Sequence, residues 1–172
     1  MQLWKLNRSE WVLLELVPGD AHMRLSMQNI FFADPVAICD MNEARAREIA
    51  DEFGIRKVYT DYHDMAADEE IDAVAIVTPD FAHADIACAM ADAKKDILIE
   101  KPLATTKEDI ARICEAVERN GVRCMVDLHN RWNPPFNTAK QEISSGKLGK
   151  PYTAYIRHSD VKWVATDMLS WA

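Results

Sequence analysis

The sequence predicts an α/β protein: a parallel sheet with helices on both faces. Three observations carry that expectation. Short unbroken apolar runs recur along the chain, stretches of helical period separate them, and polar residues gather where the runs end. Runs such as Val36-Ala37-Ile38-Cys39 and Ala73-Val74-Ala75-Ile76-Val77 suit strands buried on both faces, which have no polar side to alternate with.

Taken in order, residues 1–35 are the least regular part. Residues 11–17 suit a strand that Pro18-Gly19-Asp20 ends. Residues 21–32, with Met23, Met27, Ile30 and Phe31, suit a short helix that stops before Asp34-Pro35, because the residue preceding proline avoids helical dihedrals. From Val36 the pattern is clear. The first buried run closes on Asp40, and Ala46, Ile49, Ala50 and Phe53 then fall on one helical face, with Gly54 as the stop.

The unit then repeats. Lys57-Val58-Tyr59 reads as a short strand and residues 62–67 as a weak helical turn. The run at 73–77 ends at Thr78-Pro79-Asp80, and Ile86, Ala89, Met90 and Ala93 form the next helical stripe. Ile97-Leu98-Ile99 runs into Glu100-Lys101-Pro102. Thr105-x-x-Glu108 is a capping box, so a helix starts there with Ile110, Ile113, Cys114 and Val117 on one face, ending at Asn120-Gly121. Residues 124–128 make a further strand running into His129-Asn130-Arg131.

Composition narrows the function. At 172 residues with a formal charge of −8, the chain has no clustered Lys and Arg to displace counterions, which argues against a nucleic-acid partner. Its apolar runs are too short to span a bilayer, and Glu10 and Glu15 interrupt the N-terminal stretch, which makes a poor signal peptide. The cysteines Cys39, Cys88, Cys114 and Cys124 sit apart within apolar patterns. They read as buried free thiols in a reducing, cytoplasmic protein, and no metal site is expected, since His63-Asp64 has no second ligand at useful spacing.

In a parallel sheet the ligand crevice lies outside the carboxyl ends of the strands. Here those ends are Asp40, Thr78-Pro79, Glu100-Lys101-Pro102 and His129-Asn130-Arg131. An acid in the position of Asp40 accepts hydrogen bonds from both ribose hydroxyls of a bound adenosine and repels an added phosphate, so Asp40 favours NAD over NADP; it can equally cap the helix that follows. Glu100-Lys101 also has a bland reading, as an ordinary solvated turn. The glycine fingerprint expected about twenty residues before such an acid is missing. If Gly19 opened it, Ala21 and Arg24 would fill the other two places, and arginine would crowd the contact between helix and strand.

The arrangement from Val36 onward resembles the Gfo/Idh/MocA oxidoreductases. The resemblance rests on Val36-Ala37-Ile38-Cys39-Asp40, Tyr59-Thr60-Asp61-Tyr62, residues 72–79 with His83 four residues on, Glu100-Lys101-Pro102-Leu103-Ala104, Asn130-Arg131-Trp132-Asn133-Pro134, and residues 145–151. It implies a Rossmann-type domain over 1–130, atypical at 1–35, followed by an incomplete substrate and dimerisation domain over 131–172. It implies hydride transfer between nicotinamide and a sugar, polyol or related hydroxy compound. By position, Asp40 would hold the adenosine ribose. Thr78, Pro79 and His83 would line the middle of the cofactor. Glu100, Lys101 and Pro102 would sit beside the nicotinamide, with Lys101 as the catalytic group at the substrate oxygen. Asn130 and Arg131 would approach the nicotinamide end.

Residues 152–158 alternate like the first strand of the family's second domain, and no later residue matches that domain's acid and histidine. The alternative reading is therefore a catalytically inactive remnant that serves as a binding or interaction module. An unpaired strand edge near Tyr152-Ile156 would also invite association, so a homo-oligomer is expected. Pro102 is a candidate cis peptide.

Overall fold

A computed structural model describes residues 9–14 and 33–157, and divides the chain into two compact units, Met1–Asp127 and Leu128–Ala172. The first unit is a Rossmann-type α/β fold. Its strands are β1 (Ser9–Leu14), β2 (Ala33–Cys39), β3 (Lys57–Tyr59), β4 (Ala73–Ile76), β5 (Asp96–Glu100) and β6 (Cys124–Asp127). All pair in parallel in the order β3-β2-β1-β4-β5-β6. The chain winds outward from β1 in both directions, and the reversal between β1 and β4 is where such sheets open a crevice. The registers Leu14↔Cys39, Leu14↔Ile76 and Ile76↔Ile99 bring the strands to a common finish.

Among the described residues, four helices accompany these strands: α1 (Glu43–Phe53), α2 (Tyr62–Ala66), α3 (His83–Asp92) and α4 (Lys107–Asn120). Strand alternation divides the core between the two faces of the sheet. Val74, Ile76, Ile97 and Ile99 pack with Ala87, Met90, Ile113 and Ala116 from α3 and α4. Ile38 packs with Ala46, Ile49 and Ala50 of α1, with Ala75 against them.

Local signals explain the ends of α1. The Asn42 side chain accepts the N–H of Arg45 at 3.3 Å, and Gly54 closes the helix at φ +68°. The cap of α4 lies one residue later than the sequence suggested. Thr106, not Thr105, accepts the N–H of Asp109, at 3.1 Å, so Asp109 takes the place expected for Glu108. Consecutive threonines and consecutive acids allow either register, and the helix that follows buries Ile113 and Ala116. Ile110 and Cys114 are left exposed. The four cysteines are free; Cys39 is buried, while Cys88 and Cys124 are half-buried.

The strand and glycine positions expected at 15–20 and the helix expected at 21–32 lie outside the described residues. In the second unit, a short turn at His129–Arg131 precedes α5 (Pro134–Ser144), which starts on a proline. Residues 151–157 form no strand. Alternation alone does not make one, because extended backbone needs a partner for its N–H and C=O groups. The strand edge from which association was expected is thus absent among the described residues. No described helix is long and apolar enough to cross a membrane.

Candidate functional site

Because every strand runs the same way, the residues just past β2, β4 and β5 share one rim of the sheet. Asp40, Thr78 and Lys101 all stand there. Asp40 and Thr78 line one crevice of about 170 Å³, with Cys39, Tyr62, Asp85 and Ile86 among its walls. That space suits part of a nucleotide rather than a whole dinucleotide, since complete ligand pockets run to several hundred Å³.

Asp40 is 3% exposed. Its Oδ1 accepts the N–H of Asn42 at 2.8 Å. Its Oδ2 has no hydrogen-bond donor among the described residues, and Arg45 Nε stands 3.6 Å away, close enough for an ion pair but too far for a hydrogen bond. Thr78 is 6% exposed and its hydroxyl is likewise without a hydrogen bond among the described residues. Buried polar atoms are nearly always paired. Two oxygens in one crevice without a hydrogen-bond donor among the described residues suit a ligand rich in hydroxyl donors, and a nucleotide ribose fits that requirement.

On the crevice wall, the Tyr62 hydroxyl holds its proton more tightly than usual, chiefly through burial and then through the charges of Asp85 and Asp61. Neither Tyr62 nor Arg45 stood out as a site residue in the sequence. Tyr62 did belong to the stretch Tyr59-Thr60-Asp61-Tyr62, and Arg45 is a cation in the first turn after a strand-end acid.

The remaining expected residues fall into three groups. Pro79 is half-buried, and its carbonyl accepts the N–H of Ala82 at 2.9 Å, starting the turn that leads into α3. His83 is 1% exposed, with Nε2 2.9 Å from the Thr78 carbonyl oxygen and Nδ1 2.8 Å from that of Pro102. At the end of β5, the Glu100 carboxylate accepts the Lys101 N–H at 3.0 Å, Lys101 and Pro102 are exposed, and the Lys101–Pro102 peptide is cis. Asn130 and Arg131 belong to the second unit, on the exposed turn before α5.

Comparison with known proteins agrees with this geometry. The profile of a family described as an oxidoreductase family with an NAD-binding Rossmann fold matches residues 17–128. Inositol 2-dehydrogenase from Salmonella typhimurium is 34% identical over 148 residues, which are 85% of this chain and 44% of that protein. The scyllo-inositol 2-dehydrogenase (NAD(+)) of Bacillus subtilis is 35% identical over 133 residues, 77% of this chain and 39% of that protein. Among solved structures, an oxidoreductase from Agrobacterium radiobacter in complex with NAD+, L-tartaric acid and magnesium has a TM-score of 0.79 at 25% identity, covering 85% of this chain and 43% of its own. The chain thus spans less than half the length of the curated relatives it matches.

Proposed function

The chain belongs to the Gfo/Idh/MocA oxidoreductase family, and on that premise we propose that its crevice holds NAD in preference to NADP, for hydride exchange with a polyol of the inositol class. The observation that carries this reading is the pair of buried oxygens, Asp40 Oδ2 and Thr78 Oγ1, left without hydrogen-bond donors among the described residues in one crevice at the strand-end rim. Ribose hydroxyls would supply both. The negative charge of Asp40 would disfavour an added phosphate at the same place.

When bound, the dinucleotide supplies the hydride acceptor. The protein's part is positioning and charge. On this reading Glu100 and Pro102 lie beside the nicotinamide ring. Lys101, exposed at the rim, hydrogen-bonds the substrate oxygen and exchanges the proton that accompanies the hydride: its amine takes the carbinol O–H proton as the hydride leaves the carbon, and its ammonium returns it in the reverse direction. The inositol class is favoured because the relatives carry that name. Association with further copies belongs to the same reading, supported by Tyr152, Tyr155 and Ile156, each at least 80% exposed. A monodisperse monomer by light scattering contradicts that part.

The test combines binding with turnover. NADH titrated into the protein, followed by energy transfer from tryptophan, is expected to saturate, and myo-inositol with NAD is expected to yield NADH. Lys101→Met should leave cofactor affinity within about twofold and lower turnover by about a hundredfold or more. Saturable binding without turnover would favour the binding-module alternative. No binding at millimolar NADH would overturn the cofactor assignment.

A further inference from the structure

We propose that Asp85 reads the base of the bound dinucleotide: its carboxylate accepts a hydrogen bond from the exocyclic amine of adenine and turns away a base with an oxygen at that place. The proposal rests on the dinucleotide reading above and adds to it the group that selects the base.

The crevice decides which part of the ligand Asp85 meets. Asp85 stands in the first turn of α3 and lines the same space as Asp40 and Thr78. The described lining holds these two carboxylates and no lysine or arginine. A pyrophosphate there would meet two like charges, whereas an uncharged nucleoside would not. With the ribose at Asp40 Oδ2 and Thr78 Oγ1, the attached base comes to the remaining wall, which includes Tyr62, Ile86 and Asp85. Tyr62 and Ile86 give a flat ring apolar surface to lie on.

Asp85 is the discriminating group on that wall. The hydroxyls of Thr60 and Tyr62 can each donate or accept, so they serve an amine and a carbonyl alike; an ionised carboxylate only accepts. Its charge reaches the crevice, where it is the second cause, after burial, of the tightly held Tyr62 proton. One end of the carboxylate is fixed from outside. Asp85 Oδ1 accepts Arg112 Nη2 at 2.7 Å, and Arg112 Nη1 in turn donates to Asp109 Oδ1 at 2.7 Å, so the brace is anchored on α4. Asp85 Oδ2 accepts no hydrogen bond among the described residues and is left for a ligand. An exposed ion pair contributes little stability, but it restricts the rotamer from which that oxygen is offered.

The chemistry then separates two otherwise similar bases. Adenine presents an amine at C6, a donor to Asp85. Hypoxanthine presents a carbonyl oxygen there, and two acceptors face each other without a proton between them. Selection thus combines a bond gained with a repulsion imposed. Because the Asp85 side chain is 69% exposed, water competes for the same oxygen and the discrimination is modest.

The test compares NADH with reduced nicotinamide hypoxanthine dinucleotide, both followed by energy transfer from tryptophan to the nicotinamide they share. The wild-type protein should bind NADH about tenfold more tightly, the equivalent of one hydrogen bond. In Asp85→Ala the ratio should fall to within about twofold, because NADH is bound less well. In Asp85→Asn, whose amide can offer either an oxygen or an N–H, it should fall because the hypoxanthine compound is bound better. A wild-type ratio within about twofold, or a larger one that Asp85→Ala leaves unchanged, overturns the proposal while NADH binding itself stands. If Asp85→Ala does not fold, the near-isosteric Asp85→Asn supplies the comparison. If NADH does not saturate the wild-type protein, the dinucleotide reading falls and this proposal with it.

Discussion

Asp40 accepts the backbone N–H of Asn42 through Oδ1 at 2.8 Å, which leaves its second oxygen inside the crevice without a hydrogen-bond donor among the described residues. One carboxylate therefore braces the turn before α1 and lines the crevice, while the helix cap that the sequence allowed for Asp40 is supplied by Asn42. Replacing Asp40 by Ala should lower NADH affinity roughly ten- to a hundredfold, the range for a charge-assisted hydrogen bond. Replacing it by Ser keeps an acceptor for the Asn42 N–H and removes the charge, with Arg45 still at hand, so NADPH should gain on NADH. Titrating both variants with both cofactors checks this, and an unchanged NADH-to-NADPH preference in the Ser variant contradicts it.

Thr78 gives a prediction with two signs. Its buried hydroxyl has no hydrogen bond among the described residues, so Thr78→Val removes an unsatisfied group at nearly constant volume. The free protein should become more stable by about 1 kcal/mol, while NADH affinity falls. Thermal unfolding with and without NADH measures both. A variant destabilised in the free state would show that the hydroxyl is satisfied there after all.

Much of this arrangement was legible in the sequence, for reasons that also mark its limits. Strands buried on both faces must be apolar throughout, so the runs near Val36, Ala73, Ile97 and Cys124 stood out, and a parallel sheet then sends Asp40, Thr78 and Lys101 to one rim. Local doublets were ambiguous. Thr105-Thr106 with Glu108-Asp109 allowed two caps, and the chain uses Thr106 with Asp109. The alternation at 152–156 suggested a strand, but pattern cannot supply a pairing partner. Tyr62 and Asp85 line the crevice and Arg45 pairs with Asp40, each from a separate element, and no spacing rule joins them. The surroundings of the His83 ring were hidden for the same reason, since the two groups it faces are backbone carbonyls that carry no sequence signature.

Acid stability should depend on Asp68. Its carboxylate accepts from Lys57 Nζ at 2.5 Å, Tyr59 Oη at 2.7 Å and the Glu70 N–H at 3.0 Å. These bonds, that from Lys57 foremost, lower its pKa from an ordinary 3.8 to about 2. A folded-state pKa below the unfolded one contributes stability that is complete above the unfolded value and lost as pH falls through the folded one. The loss should therefore run from about pH 4 down to about pH 2. Asp68→Asn should be less stable at neutral pH and show a shallower decline across that window. Urea unfolding at a series of pH values tests this, and an unchanged slope contradicts it.

The end of α1 offers a conformational control remote from the crevice. Gly54 has φ +68°, and a Cβ placed there would meet nothing within 4 Å. Gly54→Ala should therefore cost about 1 kcal/mol through backbone conformation alone. It should leave NADH affinity unchanged, as measured by urea unfolding and cofactor titration on the same preparation. A loss of affinity would show that the end of α1 is coupled to the crevice.

The most direct measurement is an NADH titration followed by backbone amide chemical shifts. A dinucleotide at the strand-end rim should perturb Asp40 to Asn42, Thr78 to Asp80 and Glu100 to Lys101, saturating together, while Asp72, Asp96 and Arg123 at the opposite ends of the strands stay in place. Perturbations gathered at that opposite end, or none at saturating cofactor, would contradict the assignment.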